Sequence, residues 1–322
     1  MSSASTPQNG EATVAANAGI VECVPNFSEG SDRSKVEAIV RAMRVDGVHL
    51  LDWSLDPDHN RSVVTIAGAP DAVCEAAVRG AGKAAELINL TKQKGEHPRI
   101  GAADVIPFVP VSGISLVQCA MLARQAGLAI WRRYGVPVYF YEAAAARPDR
   151  VNLEDVRRGQ FEGLLRDSVR DTTRRPDVGG PELHQTAGAS AVGARKFLIA
   201  YNLYLDGGDG SADVGLARAI AREVRASSGG LLGVKAMGVV ANGRAQVSMN
   251  ITDFQITPMA RVHATVTDIA ARHGATVEAG EVIGLIPEQA YEPNADWVRQ
   301  TIQFDPEEKV LERRLRHPLA WP

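Results

Sequence analysis

Apolar residues along the chain fall into short runs and helical stripes that follow one another in a fixed order. Ile20 to Val24 is an apolar run that stops at Pro25-Asn26 and predicts a buried strand. Val36, Ile39, Val40 and Met43 share one face of a helix predicted over about 34–44, which Ser31 or Asp32 can cap. Val48 to Trp53 and the β-branched stretch Ser62 to Ala67 predict two strands. The polar turn Asp56-Pro57-Asp58-His59-Asn60 separates them. Pro70-Asp71 opens a long helix to about Asn89, with the proline in its first turn. The polar loop TKQKGEHPRIGA follows, then a strand over Asp104 to Val111, whose two prolines predict an irregular or edge position. The order is β-α-β-β-α-β, the split βαβ arrangement of ferredoxin-like folds. A helix over about 115–134 and a strand at 136–141 extend it.

The same order returns further on. Residues 148–175 are charged with helical pieces, and 176–194 form a Gly- and Ala-rich stretch that reads as a functional loop or a linker. Phe197 to Leu205 predicts a strand, and Ala212 to Ala226 a helix with Val214, Ala217, Ile220, Ala221 and Val224 on one face. Lys235 to Val240 and Ala245 to Ile251 predict a hairpin around Ala241-Asn242-Gly243. A helix from Pro258 to about His273 and a strand over Thr276 to Ile286 close the unit, and 288–322 is helical and charged. The expected fold is therefore α+β: two ferredoxin-like βαββαβ subdomains, 19–194 and 195–322, with sheets packed as a double layer and a ligand cleft between them. Residues 1–18 are small and polar and are expected to form a disordered extension.

Composition narrows the function. A net charge of −3 over 322 residues offers no basic face for nucleic acid. Aromatics make up only 5%, against the aromatic-rich sheet of an RNA-binding module of the same strand order. Apolar runs fall far short of the ~18–20 residues a membrane span needs. Cys23, Cys74 and Cys119 lie too far apart for a metal cluster or disulfide framework, which predicts buried thiols, a reducing cytoplasmic compartment and no metal. HxxxH and CxxC spacings are absent.

Chemistry concentrates in a few loops. Lys94-Gly95-Glu96-His97-Pro98-Arg99 puts an imidazole, a carboxylate and two cations on one connection. Imidazole titrates near neutrality and can both take and give a proton, whereas the bland reading is a solvated loop. Asp104, seven residues on, can orient His97, or can simply begin a strand. Arg61, after Asp58-His59-Asn60, can clamp a carboxylate through two parallel hydrogen bonds, or belong to an ordinary turn. Gly179, Gly180, His184, Gly188, Arg195 and Lys196 combine glycines that allow close backbone approach with a pair of cations, in a stretch that reads equally as a flexible linker. Asn26-Phe27-Ser28-Glu29-Gly30 sets polar groups at a strand end, where a helix-capping turn is the simpler reading.

Together, VECVPNFSEG at 21–30, DPDHNRSVVTIAG at 56–68, KGEHPRIGAADVIPFVPV at 94–111 and GARKFLIAYN at 193–202 resemble the formiminotransferase domain of the formiminotransferase-cyclodeaminase family, over about residues 20–287. The resemblance implies two α/β subdomains around a folate tunnel, in a homodimer. It implies glutamate formimidoyltransferase activity, a step of histidine degradation and one-carbon metabolism. N-formimino-L-glutamate and tetrahydrofolate, the co-substrate, would give L-glutamate and 5-formiminotetrahydrofolate. The family's catalytic histidine aligns with His97, and its folate-binding loop with Gly179 to Gly188, including Gly180 and His184. Both ligands carry carboxylates that a net charge of −3 does not attract, so local cations are expected to bind them: Arg61, Arg99, Arg195 and Lys196. N-formylglutamate or formiminoglycine as donor, or a non-catalytic folate sensor, are the alternatives. The chain stops at Pro322, so the cyclodeaminase activity is expected to be absent.

Overall fold

The computed structural model describes residues 19–57, 59–95, 98–207, 213–241 and 243–322. The N-terminal extension expected over 1–18 and the Asn242 hairpin position lie outside the described residues. The chain runs through β1 (Ile20–Cys23), β2 (Asn26–Phe27), α1 (Arg33–Ala42), β3 (Val48–Asp56), β4 (Arg61–Gly68), α2 (Pro70–Leu87), β5 (Ala103–Ser112), α3 (Leu116–Tyr134) and β6 (Val138–Glu142). Next come the short α4 (Leu153–Val156), α5 (Gln160–Arg170) and β7 (Ser190–Ala194). The second half comprises β8 (Ile199–Asp206), α6 (Val214–Val224), β9 (Val234–Ala241), β10 (Arg244–Ile251), α7 (Met259–Arg272) and β11 (Thr276–Ile283). Three short helices, α8 (Asp296–Gln300), α9 (Pro306–Lys309) and α10 (Leu311–Arg314), follow.

Among the described residues the strands form two sheets, so the fold is α+β. In the first, β1 and β2 are two segments of one line broken at Val24-Pro25, and both pair antiparallel with β4 on one side and β5 on the other. β3 flanks β4, while β7 and then β6 add parallel strands beyond β5. The second sheet is antiparallel, in the order β11-β8-β10-β9. Helix ends follow local chemistry. The Asp32 carboxylate accepts from the Ser34 and Lys35 N–H groups to start α1. Ser115 and Gln118 form a reciprocal capping box on α3, and Gly135, at φ 64°, ends it in the left-handed region.

Two expectations are corrected. β5 is an interior strand, not an edge. Its prolines fit because each sits where the ladder is already interrupted. Pro107 lies opposite the β1/β2 break, and Pro110 lies past Phe108, the last β5 residue paired with β7. The supposed linker 176–194 ends in β7, which is wholly buried and wedged between β5 and β6. Its sequence, SAVGA, has no large apolar residue to announce a strand, and the space allows none: a Cβ on Gly193 would lie 2.5 Å from the Tyr141 ring.

Strand alternation assigns the faces. Val21 and Cys23 of β1 join the core under α1, α2 and α3, while Glu22 and Val24 point the other way. A second core lies under α6 and α7 and includes the fully buried Trp297. Between the sheets, Leu51 and Ala67 from the first half meet Leu285 and Leu311 from the second. The tail ties the halves together: the Leu319 N–H donates to Leu50 O at 2.8 Å, and Arg314 Nε to Leu51 O at 3.0 Å. Polar side chains on the facing sheet surfaces thus border a space sealed at one side by apolar contacts.

Candidate functional site

That space is a cavity of about 340 Å³. Glu22, Asn26, Asp52, Arg61, Thr65 and Tyr141 line it from the first sheet, Ala200, Lys235, Asn250 and Ile283 from the second, and Arg157 and Arg195 from segments outside the strands.

Its floor at one end is an ionic cluster. Asp104, on β5, is fully buried, and its Oδ1 accepts from the Ile100 N–H at 2.8 Å. Its Oδ2 receives Arg61 Nη1 at 3.2 Å and also Nη2 of Arg157, the residue that ends α4. Arg61 opens β4 and donates from Nε and Nη2 to Asn26 Oδ1, at 3.0 and 2.6 Å. Asn26 is aimed in turn by donating to Val24 O at 2.7 Å. Burial pulls the Arg61 guanidinium down to about 10; Asp104 opposes that pull and neighbouring Arg157 adds to it. Among the described residues two guanidiniums share one carboxylate, so these three side chains together place more positive than negative charge at the cavity wall. Arg157 Nε is buried and has no partner. A cluster of this kind suits an anionic group, which would balance the second cation.

The His97 loop is moored to that cluster. Gln93 Nε2 donates to Ser28 O and Asn60 O at 2.7 and 2.9 Å, and Asn60 Nδ2 donates to Lys94 O at 2.7 Å. Gly95 packs so tightly on the turn before β4 that a Cβ would meet His59 O at 2.6 Å. On the far side, Ile100 is held by Asp104. Glu96 and His97 themselves lie outside the described residues.

The other sequence candidates are spread more widely. Arg99 turns away from the cavity: it bonds Gln93 Oε1 at 2.6 Å and Glu162 Oε1 at 2.8 Å, clamping the loop to α5. Lys196 pairs with Asp253 at 2.6 Å. Arg195 does line the cavity, anchored by its N–H on Phe108 O at 3.1 Å. His184 lies apart from it, bordering a second hollow of about 470 Å³ with Arg79, Lys83 and Tyr134. Its Nδ1 accepts from the Ala187 N–H at 3.0 Å, closing the turn to Gly188. Gly179, Gly180 and Gly188 have φ of 77°, 83° and 67°, and a Cβ on Gly188 would sit 2.1 Å from Ile100 O. None of these three lines the cavity.

Sequence reasoning missed Arg157, Lys235 and Glu22 as cavity residues. Arg157 reaches it from the end of α4, which has no register to either sheet, whereas Lys235 sits on β9 opposite Asn250. Glu22 had a signal, a lone acid inside an otherwise apolar strand run. It is 4% exposed, and burial pushes its carboxyl up to about 7, with Arg195 pulling down and Glu312 pushing up. Among the described residues no group of three His, Cys, Asp or Glu is arranged to hold a metal, and no helix is long and apolar enough to cross a membrane.

Residues 20–195 match the family model for the N-terminal subdomain of the formiminotransferase domain, and residues 200–315 match the formiminotransferase domain model. A glutamate formimidoyltransferase of Streptococcus pyogenes serotype M1 is 42% identical over 301 residues, covering 92% of this chain and 99% of that one. One of Thermoplasma acidophilum is 42% identical over 300 residues, covering 92% and 97%. The formimidoyltransferase-cyclodeaminase of Gallus gallus is 39% identical over 282 residues, covering 85% of this chain and 51% of the relative.

Proposed function

The chain belongs to the formiminotransferase family, and from that premise we infer that it is a glutamate formimidoyltransferase, moving the formimino group from N-formimino-L-glutamate to tetrahydrofolate. The observation that carries the site assignment is the buried Arg61–Asp104–Arg157 cluster. It faces the cavity and is tied, through Asn60 and Ile100, to both described ends of the His97 loop.

The chemistry needs what these residues offer. N5 of tetrahydrofolate attacks the formimino carbon and forms a tetrahedral intermediate. N5 sheds a proton and the departing glutamate amine takes one up. We assign both transfers to His97, as base and then acid. Arg61 and Arg157 bind a carboxylate of the donor, with Asp104 holding both guanidiniums in place. The mooring of the loop's described ends supports this division of labour, because Lys94 and Ile100 are both tied to the anion-binding cluster. Arg99 and Lys196 act as braces, through Glu162 and Asp253. The Gly179–Gly188 loop packs on the His97 loop, with the Leu90 N–H donating to Thr186 O at 2.8 Å and Ala189 N–H to Ile100 O at 2.9 Å. That contact supports its assignment to the part of the folate that extends beyond the cavity.

Steady-state kinetics with tetrahydrofolate and formiminoglutamate test the assignment. His97→Ala should lose turnover by about 10²–10⁴-fold and keep its folate affinity. Arg61→Lys should raise the formiminoglutamate KM, because an ammonium cannot reproduce the guanidinium fork. A near-wild-type rate for the first variant, or an unchanged KM for the second, removes that residue from the mechanism.

We read each half as ferredoxin-like, 19–194 and 195–322, with the two sheets as a double layer. The antiparallel order fourth-first-third-second, found in the β1–β5 part and again in β8–β11, supports this, as do the separate cores on either side of residues 195–198. We also assign the protein to a cytoplasmic homodimer. Its three buried free cysteines support a reducing compartment, and recovery with secreted protein on cell fractionation would overturn that.

A further inference from the structure

A carboxyl group taken out of water costs stability unless something satisfies it. Of the other acids at the cavity, Asp52 and Glu142 keep partial contact with water, Glu154 has Lys235 at 2.6 Å, and Asp104, behind the wall, has Arg61 and Arg157. Glu22 has neither exposure nor an ion pair among the described residues. It is 4% exposed and points from β1 into the cavity, and no hydrogen bond or ion pair to the described residues satisfies its oxygens. Burying it there gains the fold nothing.

Its position restricts what it can receive. In the β5 register Asn26 stands opposite Val105 and Glu22 opposite Val109, four residues on, so Glu22 lies about 13 Å along the sheet from the Asn26–Arg61–Asp104 end. The formimino carbon must react beside the His97 loop, at the Asn26 end, so Glu22 is too far away to hold the donor's amidine. A substrate carboxylate would be repelled by it. The remaining polar edge is that of the pterin. Its 2-amino-4-oxopyrimidine ring presents two neighbouring donors, N3–H and the 2-amino group, the latter across the ring from N5, and one acceptor, O4, on the side next to N5. A carboxylate accepts both donors at once. Arg195, the cation whose charge acts on Glu22, lines the same cavity and can donate to O4.

Building on the formimidoyltransferase reading, we propose that Glu22 is the specificity residue for the folate: it receives the N3–H and 2-amino donors of the tetrahydropterin, with Arg195 beside it at O4, and so aims N5 toward the His97 loop. Glutamine has the same shape but offers one acceptor and two donors, so in Glu22→Gln one pterin donor faces another.

The test is a cycle between residue and ligand, using the full chain with anaerobic tetrahydrofolate and its 2-desamino analogue. Wild type should bind the analogue about 10- to 100-fold more weakly than tetrahydrofolate, as expected for a lost hydrogen bond to a charged group. Glu22→Gln should bind tetrahydrofolate about as weakly as wild type binds the analogue, and should barely distinguish the two. Its tetrahydrofolate KM should rise while the formiminoglutamate KM holds. Equal wild-type affinity for both ligands, or undiminished discrimination by the variant, overturns the proposal. The wild-type comparison decides even if the variant fails to fold. Absence of formimino transfer by wild type would overturn the enzyme reading instead, whereas transfer without 2-amino discrimination would overturn only the role of Glu22.

Discussion

A buried acid with no partner among the described residues leaves a signature in the pH dependence of folding. Burial pushes the Glu22 carboxyl from 4.5 up to about 7, and the charges that act on it are Arg195, which lowers it, and Glu312, which raises it. An acid whose folded value is raised takes up a proton on folding, so the folded state is free of this cost below about 4.5. Stability then falls as pH rises through the window up to about 7 and levels off above it. The loss is about 3 kcal/mol across the window. Glu22→Gln cannot ionise, so the stability difference between wild type and variant should follow that slope in denaturant melts from pH 4 to 8. A flat difference would mean that Glu22 is not an isolated acid. Asp104, equally buried, stands in a different setting: two guanidiniums and the Ile100 N–H are brought against its carboxylate. Both acids were visible in the sequence. What separates them is the set of groups brought to each by elements far away in the chain.

Strands and helices with strong periodicity were legible at once. The interval from Ile20 to Ser112 reads correctly as strand, helix, two strands, helix and strand, because each element alternates or repeats its apolar positions. β7 was not legible. Its residues are small because the neighbours are close, and Gly193 shows why: any side chain there meets Tyr141. Gly193→Val should therefore cost stability by about 1–3 kcal/mol, measured by denaturant unfolding, through forced repacking of a filled core. Tyr141 lines the cavity, so the tetrahydrofolate KM should rise as well. An unchanged midpoint would show that the strand has slack that the backbone does not suggest. The interior position of β5 was illegible for a related reason: whether a proline breaks a sheet depends on the partner's register, which no local pattern records.

Among the described residues, α3 carries an exposed apolar row, broken by Arg124, that the fold leaves uncovered. On α3, Val117 and Met121 are 71% and 65% exposed, and Leu128 and Trp131 continue the row at spacings that keep one helical face. This face supports the homodimer reading, since two copies of it are mutually complementary about a twofold axis. Light scattering should give twice the mass of one chain, and Met121→Lys should shift the protein toward the monomer. A monomeric wild type would overturn the reading. The net charge of −3 also takes on meaning here: among the described residues the cavity is lined by four cations and four acids, and Arg61 and Arg157 meet at one end of it, so any attraction for an anionic group is confined to that end and short-ranged.

The linear order of residues determined the elements, their α+β class and the family, because periodicity and contiguous motifs such as KGEHPR survive in one dimension. Folding decided which charges meet. Asp104 is bound by arginines 43 and 53 positions away, and the Glu22 carboxyl is left with no described partner in a cavity closed by the other half of the chain. Electrostatic partnership is a property of distance in space and of exclusion from water, and neither is written in the spacing of residues along a chain.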